Sequence, residues 1–320
     1  MSSHQVAEQP MSEPTDLESR CDLTRSLHVP GTPLVLPNAW DVASARAVVA
    51  AGFPVVATTS AGVAASLGYE DHERAPGDEM LAAAARVATG VNVPVTVDAE
   101  AGYGMEPTDL VARLKEMGAA GCNLEDTNHA TGELRDPVEQ ADWLRAVRGA
   151  ASDQGYGLVI NARIDVFVSA LASGAEGKRQ AELVSEALRR AHAYVEAGAD
   201  CVFPIVLWES AALESFISKA PGPVNVLQIP PTPSHAELAE LGVARISYAG
   251  LLHRDAMEQF GRLLESLPGA PADEHPGPHE PHHIDGNPTN NRPDNLITLR
   301  RDCHRKVGRG PSRSGTDKAS

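Results

Sequence analysis

The fold class predicted by the sequence is a (β/α)8 barrel, and three observations predict it. Eight short apolar runs alternate with alanine-rich amphipathic stretches over about 240 residues, the repeat arithmetic of such a barrel. The helical stretches repeatedly close on glycine, which takes the left-handed conformation that ends a helix. Carboxylates gather where apolar runs end, and the C-terminal ends of the strands are where a parallel barrel does its chemistry. An open doubly wound sheet is the alternative arrangement of the same units.

In chain order, residues 1–26 are rich in Ser, Glu, Gln and Pro and read as a disordered N-terminal arm. The strand candidates follow at 34–38, 55–60, 93–98, 121–126, 158–163, 201–206, 224–229 and 245–248. Between them the helical pattern covers 42–51, 78–89, 108–117, 137–150, 179–197 and 234–241, with Gly52, Gly118, Gly198 and Gly242 as stops. Residues 251–267 form a last amphipathic helix, so the barrel domain is 27–267. Composition then breaks. Residues 268–281 are a Pro/Gly/His linker, 282–310 a basic segment and 311–320 a loose tail.

With 320 residues the chain can bury a large core. A net charge of −16 argues against nucleic acid as partner of the bulk of the chain, although it leaves room for a local basic patch. The four cysteines (Cys21, Cys122, Cys201, Cys303) have no paired spacing, which suits a reducing cytoplasm. No apolar run is long enough to span a bilayer, and no signal-peptide pattern is present.

The most informative stretch is 93–104, VPVTVDAEAGYG. A β-branched run ends in Asp98 and Glu100, and Gly102, Tyr103 and Gly104 follow. Two such acids can hold a hard divalent cation and its waters; alternatively they cap the next helix. Other strand ends offer Asn38 and Trp40-Asp41, Ser60 with Asp71 further along the loop, Glu125-Asp126, and Arg163 with Asp165. Asp98, Glu100, Glu125 and Asp71 are too many negative charges for one apolar mouth without a cation, and Mg²⁺ resolves that cost. Arg163 offers a planar fork to a carboxylate or phosphonate. Tyr103 either orders the mouth or packs on the rim, Asp165 is read as a helix cap, Cys122 as a buried small hydrophobe, and His129 as a solvated loop residue.

These residues carry a resemblance. LPNAWDVASA, TTSAG…LGYED, VDAEAGYG, NLED and NARID, in that order, resemble the isocitrate lyase/phosphoenolpyruvate mutase superfamily over about 27–267. The resemblance implies a barrel whose eighth helix, here 251–267, is exchanged between subunits of a homodimer or homotetramer. It implies Mg²⁺, or Mn²⁺ in its place, bound most directly by Asp98, with Asp71, Glu100 and Glu125 holding its waters. It places a substrate carboxylate on Ser60 and the amides of Ala61 and Gly62, near Trp40, with Arg163 in contact with substrate. The substrates implied are small 2-oxo acids or phosphonates that pass through an enolate of pyruvate, its developing charge held by metal and fixed donors.

The loop after the fourth strand departs from the family. Residues 126–137 read DTNHATGELRDP and lack both the acid/base cysteine of the isocitrate and methylisocitrate lyases and the lysine of the mutases. Asn128, His129 or Arg135 remain to close over substrate, with His129 able to give a proton near neutral pH. A carbon–carbon cleavage or decarboxylation of an oxaloacetate-like acid needs the fewest missing groups. Phosphonomutase or phosphonopyruvate hydrolase chemistry is one alternative, and a metabolite-binding barrel without catalysis is another.

The segment 281–306, PHHIDGNPTNNRPDNLITLRRDCHRK, resembles the HNH nuclease motif. The resemblance implies a metal ligand and general base at His282 and His283, a hairpin-tying asparagine at Asn295 and a second metal ligand at His304, acting on DNA. Arg300 stands where relatives often carry cysteine, and so small a core is hard to stabilise without a structural metal, so the reading favoured is an inactive remnant.

Overall fold

The computed structural model describes residues 16–172, 179–268, 279–283 and 296–300. Eight parallel strands run in a ring. They are β1 (Leu34–Leu36 and Asn38–Ala39), β2 (Val56–Thr58), β3 (Val95–Asp98), β4 (Gly121–Glu125), β5 (Val159–Ile164), β6 (Cys201–Pro204), β7 (Asn225–Leu227) and β8 (Arg245–Ser247). Pro37, which has no N–H to give a ladder, interrupts β1 and divides its partners. Leu34–Leu36 pairs with β8, and Asn38–Ala39 pairs with β2. The bridge Val202↔Val224 joins β6 to β7, with Val202 N–H donating to Pro223 O at 3.0 Å. The strands are buried on both faces, so they read as continuous Val/Ile/Ala runs rather than as alternating ones.

All eight expected strands form. The lumen is filled by polar side chains as well as apolar ones. Arg245 on β8 donates to Asn123 Oδ1 on β4 at 3.1 Å, and Asn161 on β5 donates to the same oxygen at 2.8 Å. Strands four and eight stand opposite each other in the ring, so the Arg245 bond crosses the barrel.

The structure corrects one sequence expectation about helices and adds three helices that the sequence pattern did not mark. Residues placed in the disordered arm form α1 (Leu17–Ser26), capped by Asp16 and holding Cys21 and Thr24 in the core. Arg25 fixes α1 to the N-terminal end of the barrel, donating to Asp200 Oδ1 (2.9 Å) and to Gly157 O (2.8 Å). The run after β2 is a helix from its first residue, Ser60–Leu67, and helices Val166–Ala172 and Ser210–Ile217 also form in stretches without a clear 3.6-residue pattern. Each is only seven or eight residues long, about two turns, which is too few repeats for a 3.6-residue period to stand out.

The helix Leu251–Glu265 after β8 buries none of its residues. Met257, Phe260, Leu263 and Leu264 stand about half exposed along it. An apolar groove of about 500 Å³ lies beside its first turn, lined by Trp40, Ala47, Val48, Phe53 and Leu252 among others. Among the described residues no helix is long and apolar enough to cross a membrane.

Candidate active site

The C-terminal end of β3 delivers Asp98 to the barrel mouth. Its amide is fixed by Thr58 Oγ1 (2.8 Å), and its Oδ2 accepts from the Ser60 amide (3.0 Å). The chain then turns sharply. Glu100, Gly102, Tyr103 and Gly104 all take positive φ. At Gly102 the φ of +91° and Trp143, which would lie 2.7 Å from an added Cβ, both require glycine. Glu100 and Tyr103 adopt the same region at a cost of about 1–3 kcal/mol each. A reciprocal lock with the loop after Ser60–Leu67 holds them there. The Glu73 amide donates to Glu100 Oε2 (2.6 Å), and the Tyr103 amide donates to Glu73 Oε1 (2.7 Å). His72 and Glu73 are themselves left-handed, so two strained loops brace each other. Tyr103 therefore orders the mouth, with its backbone on Glu73 and its hydroxyl on the Glu100 carboxyl, where burial and that carboxylate push its ionisation well above the usual range.

On β4, Glu125 is 2% exposed. Its Oε1 lies 2.5 Å from His129 Nε2, and its Oε2 lies 2.5 Å from Arg163 Nη1 on β5. Arg163 Nε donates to Asp165 Oδ1 at 2.6 Å. Two sequence expectations are thereby corrected. His129 is not solvated: its side chain is 7% exposed, because a short hairpin, Thr127–Asn128 with Glu133–Leu134, folds the loop back over Glu125. Asp165 does not cap the following helix with its side chain; Arg163 and the Thr127 hydroxyl (2.5 Å) take both of its oxygens. The Arg163 guanidinium is thus committed to two carboxylates, and serving a substrate requires one pair to open. Asn128 sits in the hairpin, its Oδ1 accepting from the Ala130 amide at 3.0 Å.

The mouth concentrates negative charge. Burial raises the Asp98 carboxyl, Arg163 and the Ser60 amide oppose this, and Asp71 adds to it. Glu100 is pushed up to about 9 by burial and then by Asp71, Glu125 and Asp98. Burial raises Glu125 too, against Arg163 and with Asp165. Burial works against the charge on Arg163, but Asp165, Glu125 and Asp98 outweigh it and hold the group firmly protonated. Asp98 Oδ1 and Asp71 Oδ1 are buried, and neither receives a hydrogen bond from the described residues. Oxygens left bare at a site of excess negative charge fit a divalent cation.

Ser60 is buried at the first turn of Ser60–Leu67. Thr59 supplies no side-chain cap there, so the early amides, Ala61 and Gly62 among them, are a ready anion site. Trp40 packs edge-on against His253 (5.0 Å between rings) and lies beside Gly62.

Residues 23–267 match the phosphoenolpyruvate phosphomutase family. The chain belongs to the isocitrate lyase/phosphoenolpyruvate mutase superfamily. Superfamily relatives span both chemistries. The chain is 29% identical over 231 residues to the 2-methylisocitrate lyase of Escherichia coli K12, covering 65% of this chain and 73% of that one. It is 37% identical over 221 residues to an uncharacterised protein of Mycobacterium tuberculosis H37Rv, covering 69% and 79%. A solved Burkholderia cenocepacia J2315 protein, described as a candidate phosphonomutase, superposes with a TM-score of 0.71 at 41% identity over 77% of this chain and 99% of that one. Residues 274–305 separately match an HNH endonuclease family. There the strands His279–His283 and Leu296–Arg300 pair antiparallel. Asn295 and His304 lie outside the described residues, and His282 and His283 fall within the first of these strands.

Within this superfamily of lyases and mutases the loop cysteine is absent, and no described thiol replaces it. Cys21, Cys122 and Cys201 are all buried, with burial pushing their thiols up to about 11, 12 and 12. Sequence reasoning missed His72 and Glu73. No spacing marked them; only the unusual density of charge in the run 70–74 set that loop apart.

Proposed function

We propose that the barrel is a divalent-metal-dependent lyase acting on a small 2-oxo acid of the oxaloacetate type, by decarboxylation or by cleavage of the carbon–carbon bond next to the oxo group. The observation that carries the reading is the pair of bare buried oxygens, Asp98 Oδ1 and Asp71 Oδ1, in a mouth that also holds Glu100, Glu125 and Arg163. Asp98 would hold Mg²⁺ most directly, with Asp71, Glu100 and Glu125 around it. The ion, when bound, supplies Lewis-acid stabilisation of the developing oxyanion. Ser60 and the amides of Ala61 and Gly62 bind the substrate carboxylate. Arg163 holds Glu125 in place and balances the charge. In decarboxylation the bond to the departing carboxylate breaks, its electron pair becomes the enolate, carbon dioxide leaves, and a proton from water completes the 2-oxo product. This chemistry needs neither the lyase cysteine nor the mutase lysine, and so it stands ahead of the carbon–phosphorus reactions.

The subunit arrangement proposed is a homodimer or homotetramer formed by helix exchange. The exposed apolar residues of Leu251–Glu265 and the groove at Trp40, Ala47 and Phe53 are complementary in character, and both are uncovered in a single copy. Phe260→Asp is expected to shift the mass in solution, read by light scattering, towards monomer.

An NMR screen of oxaloacetate, methylisocitrate and phosphonopyruvate with Mg²⁺ tests the catalytic reading. Turnover abolished by Asp98→Ala and by EDTA supports it. Turnover that survives both sinks it. Metal-dependent binding without any product would instead favour a sensor.

A further inference from the structure

We infer that the mouth holds a second, nitrogen-liganded metal site, formed by His72, Glu125 and His129, that selects a transition-metal dication such as zinc, manganese or iron(II). It rests on the functional reading above only in sharing Glu125. One ligand atom from each of the three residues lies within 4.8 Å of the others. His129 Nε2 is already 2.5 Å from Glu125 Oε1, and the two imidazole rings stand 5.5 Å apart at a tilt of 38°. Donors about 2.0–2.1 Å from one ion lie about 3–3.5 Å apart in a tetrahedral set. Binding therefore asks His72 to close by up to about 1.5 Å and the His129–Glu125 pair to part by somewhat less.

The surroundings favour this. Glu125 Oε2 is occupied by Arg163, which leaves Oε1 as the oxygen an ion would take. The ion would replace the hydrogen bond between His129 and that oxygen, so Glu125 stays satisfied on both sides. His72 sits in the braced loop, between Asp71 and Glu73, with its backbone held left-handed and the Glu73 amide tied to Glu100. Two imidazoles and one carboxylate are the donor set of borderline metals, whereas Mg²⁺ prefers oxygen alone. The hairpin that deprives the loop of a cysteine is the element that supplies His129. In this chain the loop's contribution is accordingly a metal ligand rather than a proton donor.

The test uses the full-length protein and Co²⁺ as probe, followed by visible absorption, with bound zinc counted after dialysis. Wild type is expected to hold one more equivalent than the double variant His72→Gln/His129→Gln, and to show ligand-field bands that the variant lacks. Each single variant is expected to weaken Co²⁺ binding at least about tenfold. Metal bound by the histidines of residues 275–304 is the same in both proteins and cancels in the difference. Thermal melts without metal establish that the variants fold, and a single variant that folds carries the test if the double variant does not. Excess Mg²⁺ is expected to leave the bands in place. Equal stoichiometry and identical spectra in wild type and a folded histidine variant overturn the inference. Asp98→Asn separates the two readings: it should abolish Mg²⁺-dependent turnover yet keep the Co²⁺ bands.

Discussion

Glu125 and Asp126 are neighbours in sequence, both buried, and they belong to different regions with different chemistry. The strand β4 ends at Glu125, which joins the mouth, and Asp126 just beyond it turns to the wall beneath the helix Gln180–Glu196. In the wall every oxygen is answered. Asp126 Oδ2 accepts from Arg190 (2.8 Å) and from the Tyr194 hydroxyl (2.6 Å), and Oδ1 accepts from the Asp165 amide (2.8 Å). Asp200, at the opposite end of the barrel, is answered in the same way by Arg25, Arg148 and the Ile160 amide. In the mouth, Asp98 and Asp71 each keep a bare buried oxygen. The difference separates acids whose oxygens are all hydrogen-bonded within the fold from acids that keep a bare one, and charge count alone would not have drawn that line.

The comparison breaks most visibly at Asp98. Asp98→Asn should lower turnover by about 10²–10³-fold, the usual cost of losing a single fixed stabilising group. Metal-free stability should hold or rise, because a raised carboxylate beside other acids is removed. A steep loss of melting temperature would place Asp98 with the structural acids. Asp126→Ala should do the reverse, costing about 1–3 kcal/mol for each buried donor left without its acceptor, the Tyr194 hydroxyl and the Asp165 amide, while Arg190 keeps Glu186. Urea unfolding measures it. If stability were unchanged, the wall network would not be what positions Asp165, and through it Arg163.

A third test concerns the end opposite the mouth. His28 is buried, with Nδ1 donating to Thr24 O (2.7 Å) and Nε2 without a partner among the described residues. Burial, and then the charge of Arg245, press it down to about 4 from an ordinary 6.5. The folded value lies below the unfolded one, so the neutral ring is favoured on folding. Above pH 6.5 both states are neutral and nothing is lost. As pH falls from 6.5 to 4 the unfolded chain takes up the proton first, and stability drops, reaching a loss of about 3 kcal/mol. His28→Gln should flatten that limb of a melting-temperature profile. An unchanged limb would assign acid sensitivity to the mouth instead.

How much of this was legible in the sequence differs between the two regions. The mouth was largely readable, because its residues sit at strand ends and strand ends are marked by β-branched runs meeting acids and glycines. Asp98, Glu100, Glu125 and Arg163 stand at such ends, whereas Asp71 lies further along the loop that follows Ser60–Leu67. What escaped was made by tertiary folding of short pieces. His129 reads as a loop histidine until a hairpin turns it onto Glu125. Asp165 reads as a helix cap until Arg163, two residues earlier in the strand it follows, claims it. The helix Ser60–Leu67 has no polar face to give it a period, and α1 has few apolar residues and meets the barrel partly through Arg25, a contact 175 residues away in sequence.

That contact gives the smallest effect and the sharpest test of what an answered acid is worth. Arg25 gives Asp200 one bond at 2.9 Å, but its side chain is 39% exposed, so water screens the pair. Asp200 would keep Arg148 and the Ile160 amide if Arg25 were lost. Arg25→Ala should therefore cost only about 1 kcal/mol, part of it from the bond to Gly157 O. Arg148→Ala should cost more, because Arg148 also serves Gly198 O and Leu158 O and is the less exposed partner at 23%. A double-mutant cycle of each arginine with Asp200→Asn isolates the pair terms. If Arg25 coupled as strongly as Arg148, exposure would not be what grades these ion pairs. If it coupled to nothing, α1 would be held by the apolar contacts of Leu17 and Cys21 rather than by charge.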